Sequence, residues 1–192
     1  MHDQRTYQGS KTVNVYDQVL DHLTRQNLYN YVANSLFRVS GYDNEFQATR
    51  SRQVYSKWTL SDLVNSGFLA LEPIKNLLTT HGLDQGRLRQ VRVNASSASE
   101  QNHIHSDQEG TTVLYWANMI WDLDWGGHLL IVDESMSDIR DVIAFRPGRL
   151  VIMDGSLPHL VSPPTALAED LRFSLVLQFD REQNIGIHAV GK

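Results

Sequence analysis

The spacing of apolar residues changes along the chain from a helical period to a period of two. Over residues 15–37, apolar side chains recur at three- and four-residue steps, which predicts a long helix. Residues 42–57 are polar and irregular. Residues 58–80 return to the helical pattern, and Pro73 is expected to open a second short helix there, because proline suits the first turn. The N-terminal region is therefore predicted to be mainly helical.

After Gly82 the apolar residues alternate with polar ones, as they do in strands. Six segments show this alternation: residues 87–95, 112–118, 127–133, 141–145, 149–154 and 171–179. Glycine, proline and aspartate residues separate most of these segments and predict turns. Strands at such short intervals, with no helices between them, are typical of an antiparallel sandwich or barrel.

The last predicted strand has two different faces. One face is apolar and consists of Leu171, Phe173, Leu175, Leu177 and Phe179; the other consists of Arg172, Ser174, Val176 and Gln178. In the favoured interpretation, the first face packs on the core and the second faces water, as antiparallel sheets commonly do. In the alternative, the apolar face packs under the N-terminal helices and Arg172 points into a polar barrel interior.

Composition narrows the classes of function. The 192 residues are 41% hydrophobic and 20% charged, and the net charge of −5 does not suggest the basic surface that nucleic-acid binding usually needs. The sequence has no cysteine, so disulfides, iron–sulfur clusters and thiolate metal sites are excluded. No apolar run is long enough for a transmembrane helix, and the start does not resemble a signal peptide. We therefore expect a cytoplasmic protein without a membrane partner.

The stretch QNHIHSDQEG, residues 101–110, places His103, His105 and Asp107 in strict alternation. Side chains two positions apart share one face of a strand, so these groups either hold a metal or form a polar surface strip. His159, in the stretch GSLPHLVSPP, is the best downstream candidate for a further ligand, although a single histidine is more often packed or exposed. Two histidines and one carboxylate match the ligand set of non-haem Fe(II) oxygenases.

Five landmarks occur in the order found in one enzyme family. They are HSD at 105–107, YWAN at 115–118, WGGHLLIV at 125–132, FRPGRLVIMDGSLPH at 145–159 and RFSLVLQFD at 172–180. In these segments the chain resembles the Fe(II)- and 2-oxoglutarate-dependent dioxygenases, specifically the prolyl-hydroxylase-like group. The resemblance implies a mainly β fold, a double-stranded β-helix (jelly roll) formed by residues 87–192. An N-terminal helical region, residues 1–86, would support it within one integrated domain.

The resemblance also implies the roles of individual residues. His105, Asp107 and His159 would bind Fe(II), and 2-oxoglutarate and dioxygen would be the cosubstrates. Arg172 would bind the far carboxylate of 2-oxoglutarate, because a guanidinium presents a planar fork to a carboxylate. Tyr115 would hydrogen-bond the same carboxylate. It shares a predicted strand face with apolar residues, however, so a core tyrosine is an open alternative.

The implied activity is hydroxylation of an unactivated C–H bond, with succinate and CO2 as coproducts. Candidate residues at the substrate rim are His103, Asn94, Trp121 and Trp125. Residues 94–95, Asn-Ala, stand where related prolyl hydroxylases often carry a tyrosine; this difference and the compact length favour a small molecule or amino acid as substrate. The alternatives are a peptidyl (prolyl-type) hydroxylase, a cupin-like metal-binding sensor without oxygenase turnover, and a structural jelly-roll module.

Overall fold

The computed structural model describes residues 1–7, 10–40, 53–56, 58–98, 100, 102–107 and 109–181. The strands are β1 (His2–Thr6), β2 (Thr12–Tyr16), β3 (Arg38–Ser40), β4 (Gln53–Ser56), β5 (Leu88–Ser96), β6 (Thr111–Trp116), β7 (Leu129–Val132), β8 (Ile139–Ile143), β9 (Leu150–Asp154), β10 (His159–Val161) and β11 (Arg172–Phe179). The helices are α1 (His22–Ala33), α2 (Leu60–Asn65) and α3 (Glu72–Thr80). In this described part of the chain, no helix has the length and apolar character that crossing a bilayer requires.

The strands form two sheets in which neighbouring strands are antiparallel. The larger sheet has the order β1-β2-β9-β6-β11-β5-β4-β3, and the smaller sheet has the order β10-β7-β8. Strands from both ends of the chain meet in the larger sheet, since β2 pairs with β9 and β11 lies between β6 and β5. The mainly β architecture predicted from the sequence is confirmed.

The helices cover one face of the larger sheet. They share one core with the strands: Leu28, Val32, Leu63, Ile74 and Leu78 from the helices, and Val91, Val93, Val113, Tyr115, Leu175 and Leu177 from the sheet. Burial of each such aliphatic side chain contributes about 1.5–3 kcal/mol. Local signals start the helices, because Asp21 caps α1, and Thr59 and Asp62 form a capping box on α2. Pro73 lies in the first turn of α3, as predicted.

The opposite face of the larger sheet packs on the smaller sheet. The core between the two sheets consists of Val13, Val15, Leu114, Trp116, Leu129, Ile131, Ile143, Phe145, Val151, Met153, Leu157 and Val176. Next to this core lies a cavity with polar walls, lined by side chains of β5, β6, β10 and β11. The fold therefore has an apolar layer under the helices and a partly polar layer between the sheets.

The prediction of one helix over residues 15–37 is wrong at its start. Residues 15 and 16 belong to β2, and α1 begins only at His22. The alternation of Val13 and Val15 buries both side chains between the sheets. Pairing with β9 satisfies the backbone of this segment, so the tertiary structure overrides the local helical spacing.

The segment predicted as irregular, residues 42–57, also contains regular structure. Gln53–Ser56 forms β4, which pairs with β5. Residues 41–52 and 57 lie outside the described residues. The region before residue 86 thus contributes four strands to the larger sheet as well as the helices, and the division of the chain at that point stays a prediction.

The favoured interpretation of the last strand is wrong as well, because all eight residues of β11 are buried. Its odd-numbered apolar residues belong to the core under the helices. Arg172, Ser174 and Gln178, from the other face, line the cavity between the sheets. A strand at the centre of the larger sheet, covered by helices on one side and by the smaller sheet on the other, leaves no face for water.

Candidate metal centre

His105, Asp107 and His159 converge at the cavity between the two sheets. Each offers one ligand atom, and these atoms all lie within 4.8 Å of one another. Asp107 is central, since its Oδ1 lies 3.7 Å from His105 Nε2 and its Oδ2 lies 3.6 Å from His159 Nε2. The structure therefore brings together the three residues that the sequence predicts as metal ligands.

Backbone pairing explains how residues distant in sequence come together. His105 and His159 form an isolated antiparallel bridge: His105 N–H donates to His159 O (3.0 Å), and His159 N–H donates to His105 O (2.8 Å). Asp107 N–H donates to Gly155 O (2.7 Å). The segment before β6 thus runs beside the turn that follows β9. Although the pairing is short, it places the side chains of His105 and Asp107 on the same side, as in a strand.

Both histidines are oriented by backbone carbonyls. His105 Nδ1 lies 2.9 Å from His103 O, and His159 Nδ1 lies 2.8 Å from Leu157 O. Because a carbonyl oxygen only accepts hydrogen bonds, each Nδ1 carries the proton and each Nε2 keeps its lone pair for a metal ion. Such outer hydrogen bonds fix the tautomer and the ring orientation of metal-binding histidines.

The Asp107 carboxylate is oriented by a hydroxyl group on β6. Thr112 Oγ1 donates to Asp107 Oδ2 over 2.8 Å, and Thr112 is buried. One hydrogen bond to Oδ2 restricts rotation of the carboxylate and leaves Oδ1 available on the side of His105. A hydrogen-bonded carboxylate of this kind is the usual partner of two histidines at a metal site.

His103, which alternates with the ligands in the sequence, is not part of the cluster. It acts through its backbone carbonyl, which orients His105. Its ring Nε2 is buried, and among the described residues it has no hydrogen-bond partner. The alternation alone therefore overstates the number of ligands by one.

Arg172 is buried at another wall of the same cavity. Its NH1 donates to Gly127 O (3.2 Å) and Ser162 O (2.9 Å), and its NH2 donates to Ser96 Oγ (2.8 Å). Within the described part of the chain, Arg172 Nε has no hydrogen-bond partner. The Nε–H and the second NH2 hydrogen share one edge of the guanidinium, and this edge forms a fork that matches a carboxylate.

The charge of Arg172 calls for an anion. Burial lowers the pKa of Arg172 to about 10, and the nearby Glu100 carboxylate opposes this effect. The lowered pKa indicates that the surrounding protein stabilises the charged guanidinium less well than water does. A bound carboxylate would supply the missing charge. The metal cluster and the fork of Arg172 therefore fit Fe(II) and the dicarboxylate 2-oxoglutarate together.

Gly127 allows the backbone to approach Arg172 closely. Its φ is +77°, and a Cβ at this position would lie 3.0 Å from Arg172 Cδ and 3.5 Å from Trp121 Cζ2. The predicted rim tryptophans lie at this point, outside the cavity lining. Trp121 packs against Phe145 and Trp125, with ring centroids 4.7 Å and 5.2 Å away. Trp121 supports this turn, since its Nε1 donates to Gly126 O (3.0 Å), and neither tryptophan is among the residues that line the cavity.

Tyr115 points away from the cavity, which corrects the expected contact with 2-oxoglutarate. It is 1% exposed and packs against Phe68 under the helices, with ring centroids 5.4 Å apart. Burial raises the pKa of its hydroxyl to about 12. The β6 side chains that line the cavity are Leu114 and Trp116, on the alternate face of the strand. The tyrosine is thus a core residue, the alternative that the sequence left open.

Asn94 is the predicted rim residue that lines the cavity. Several further wall residues were missed by sequence reasoning: Arg92, Ser96, Asn102, Trp116, Val161 and Ser174. Arg92, Asn94 and Ser96 alternate along β5, so the sequence carried a signal for a common face. Which face points to the cavity depends on the pairing of β5 with β11, and this pairing is a tertiary property.

No protein-family model and no curated protein matches this chain. Solved structures do match it. A prolyl hydroxylase from Trichoplax adhaerens, in complex with a hypoxia-inducible factor peptide, is 16% identical with a TM-score of 0.63, over 88% of this chain and 83% of that chain. A 2OG-Fe(II) oxygenase family oxidoreductase from Burkholderia pseudomallei is 12% identical with a TM-score of 0.63, over 88% and 85%. The non-haem α-ketoglutarate-dependent epimerase SnoN from nogalamycin biosynthesis is 13% identical with a TM-score of 0.61, over 94% and 86%.

The fold is that of the 2-oxoglutarate and Fe(II)-dependent oxygenases. The matched structures include a hydroxylase and an epimerase, so the same fold serves different reactions. The chemistry of this chain therefore rests on its own residues, above all on the cluster at Asp107 and the fork at Arg172.

Proposed function

We propose that this protein is an Fe(II)- and 2-oxoglutarate-dependent oxygenase that hydroxylates an unactivated C–H bond, with succinate and CO2 as coproducts. One observation carries the proposal: the metal cluster centred on Asp107 and the carboxylate fork of Arg172 line the same cavity. A cupin-like metal sensor without turnover needs only the cluster. It gives no reason to bury an arginine beside the metal site.

The residues around the cavity would divide the work of binding. The cluster would hold Fe(II) through three ligands and keep further coordination positions open. Arg172 would bind the distal carboxylate of 2-oxoglutarate through Nε–H and NH2. Fe(II) and 2-oxoglutarate together would supply the oxidising chemistry with dioxygen. The apolar part of the wall would keep water from the reacting centre, and it consists of Leu114, Trp116 and Val176.

We interpret the two facing sheets as a double-stranded β-helix (jelly roll) supported on one face by the helices. The order of strands supports this interpretation, because the chain crosses repeatedly between the sheets. β6, β9 and β11 lie in the larger sheet, and β7, β8 and β10 lie in the smaller one. Such crossing between two packed antiparallel sheets is typical of jelly rolls.

We propose a small molecule, such as a free amino acid, as the substrate. The cavity combines polar side chains of β5 and β11 with a short apolar wall, which suits a compact polar ligand. The second candidate is a peptidyl (prolyl-type) residue. The matched Trichoplax prolyl hydroxylase, which was solved with a peptide, is the observation that favours it.

The proposed activity is tested by incubating the protein with Fe(II), 2-oxoglutarate and air, with ascorbate as the reductant in place of the unidentified substrate, and measuring succinate by mass spectrometry. We expect conversion that requires Fe(II) and is lost in Asp107→Ala, because the carboxylate ligand is missing. His22→Ala, a change at an exposed histidine on α1, is the matched control and should retain conversion. Absence of succinate with Fe-loaded wild type would contradict the proposal, as would equal conversion by Asp107→Ala.

A further inference from the structure

The cavity contains a second arginine that the proposed cosubstrate does not use. Arg92, on β5, lines the same cavity as the metal cluster and Arg172. 2-Oxoglutarate has two carboxylates, of which one would bind the metal and the other Arg172. Arg92 pairs with Val176 of β11, whereas Arg172 pairs with Ser96. The two arginines are thus four residue positions apart along the sheet, or about 13 Å between main chains.

Arg92 is close enough to the metal cluster for a small molecule to reach both. Across the larger sheet, Arg92 of β5 lies opposite Val176 of β11, which lies opposite Leu114 of β6. Thr112, whose hydroxyl donates to Asp107, lies two residues from Leu114 along β6. Two strand spacings and two residues along a strand therefore separate Arg92 from Thr112, a main-chain distance on the order of 10 Å.

The Arg92 guanidinium is held in place by the side chain of Gln90, which is itself bonded to Gln178. The Gln90 amide, oriented with its oxygen toward Arg92, accepts from Nε (2.7 Å) and from NH2 (2.9 Å). In the same orientation, its nitrogen donates to Gln178 Oε1 (2.8 Å). These contacts fix one edge of the guanidinium. A side chain that is already ordered loses less conformational entropy when it binds an anion.

Asn94 adds a hydrogen-bond acceptor beside Arg92. It lies two residues further along the same face of β5 and lines the cavity. Its Oδ1 is buried, and no described residue donates a hydrogen bond to it. 2-Oxoglutarate carries only acceptor oxygens at neutral pH, so it cannot satisfy this atom. Water or another molecule that enters the cavity has to supply the donor.

We propose that Arg92 and Asn94 form the substrate subsite of this cavity. The substrate is then a small molecule with a carboxylate or phosphate group that binds Arg92 and an N–H or O–H group that donates to Asn94 Oδ1. This inference rests on the proposed function, because it names the substrate class of the same site. Two fixed contacts at one end of the molecule decide which C–H bond faces the metal. An uncharged peptide has no group for Arg92.

The test is a binding measurement on Zn(II)- and 2-oxoglutarate-loaded protein by saturation-transfer NMR. The probes are L-amino acids, hydroxy acids and sugar phosphates, each beside the amide or dephosphorylated compound that lacks its anionic group. We expect the compound with the anionic group to bind and its counterpart not to bind. Arg92→Gln should weaken anion binding about 10- to 100-fold, because a charge-assisted hydrogen bond is lost, and Arg92→Lys should weaken it less. The carboxylate and phosphate arms show which of the two groups is recognised.

Arg140→Gln is the matched control, since Arg140 is an exposed arginine paired with Asp133, and it should bind the probes like wild type. Asn94→Leu should weaken binding of amino and hydroxy acids but not of acids that lack an N–H or O–H group. Equal binding of the counterparts that lack the anionic group, or of an uncharged prolyl peptide, would overturn the inference. Anion binding that Arg92→Gln leaves unchanged would overturn it too. Failure of the proposed function has a different signature, because wild type would then not bind 2-oxoglutarate in the presence of the metal.

Discussion

The two faces of β11 bury side chains of opposite character within the same eight residues. The apolar face under the helices consists of Phe173, Leu175, Leu177 and Phe179, none more than 5% exposed. On the cavity face, the polar side chains of Arg172, Ser174 and Gln178 are at most 8% exposed. Burial therefore does not distinguish the core from the candidate site. The distinguishing feature is the chemistry of the buried groups, which are apolar on one face of β11 and mostly polar on the other.

Under the helices, loss of apolar surface from water accounts for the packing. In the cavity, Arg172 Nε and Asn94 Oδ1 are buried without partners among the described residues. Each such group costs about 1–3 kcal/mol, a cost that a bound ligand would offset. Unpartnered polar atoms on residues that line a cavity can be reached by a ligand, which indicates that the cavity is built to bind.

The largest effect is expected from Arg172→Met, which keeps an unbranched apolar stem and removes the guanidinium with its charge. Loss of a two-pronged, charge-assisted contact should weaken 2-oxoglutarate binding by about 3 kcal/mol or more. The free energy of unfolding should fall as well, because Gly127 O, Ser162 O and Ser96 Oγ lose their donor. Calorimetric titration of Zn(II)-loaded protein measures the affinity, and urea unfolding measures the stability. The control Arg140→Met should bind 2-oxoglutarate like wild type. If Arg172→Met also binds it with unchanged affinity, the cavity face of β11 has no role in binding 2-oxoglutarate.

The apolar face of β11 is tested by Leu175→Ala. Leu175 is fully buried, so the lost packing should cost about 2–5 kcal/mol of the free energy of unfolding. Ser174→Ala, on the next residue and the opposite face, should cost about 1 kcal/mol or less. Urea unfolding of both variants checks the difference. Equal costs at the two positions would show that the faces contribute alike to stability.

A smaller effect is expected from Gly127→Ala. The positive φ should cost about 1–2 kcal/mol in stability, and the added Cβ would lie 3.0 Å from Arg172 Cδ and displace the side chain. Weaker 2-oxoglutarate binding should accompany the loss of stability. Gly67→Ala is the matched control, because Gly67 has a φ of +73° and an added Cβ there meets nothing within 4 Å. If both variants weaken 2-oxoglutarate binding alike, the close approach to Arg172 has no role in it.

The smallest effect is expected from Tyr115→Phe. The Tyr115 hydroxyl lies in the core under the helices, near the Arg25 side chain. Removing it should leave 2-oxoglutarate affinity unchanged and alter stability by about 1 kcal/mol or less. Calorimetry on the same Zn(II)-loaded protein measures the affinity. A clear loss would show that Tyr115 reaches the cavity after all.

Much of the sheet structure was predictable from the sequence. β5 to β9 and β11 combine a period of two with turn residues at their ends, and these are local signals. β2 was missed because Val15 and Tyr16 also fit a helical spacing, and only pairing with β9 decides between the two. β10 has three residues, too few for an alternation to show.

The candidate site was predictable where residue type carries the chemistry. His105, Asp107 and His159 are metal-ligand residue types at a recognisable spacing, and the fold brings them together. The face of a strand that lines the cavity was not predictable, because it depends on register. Tyr115 pairs with Leu175 of β11 and shares its helix-facing side, whereas Trp116 pairs with Ser174 and shares the cavity side.

The central claim is that the Asp107 cluster and Arg172 form one site for Fe(II) and 2-oxoglutarate. Its most direct test is an anaerobic titration of 2-oxoglutarate into the Fe(II)-loaded protein, followed by the visible absorption of the chelate. We predict an absorption band in wild type and in His103→Ala, no band in His105→Ala, and a band in Arg172→Met only at much higher 2-oxoglutarate concentration. Wild-type protein that binds Fe(II) but shows no band at saturating 2-oxoglutarate would contradict the account.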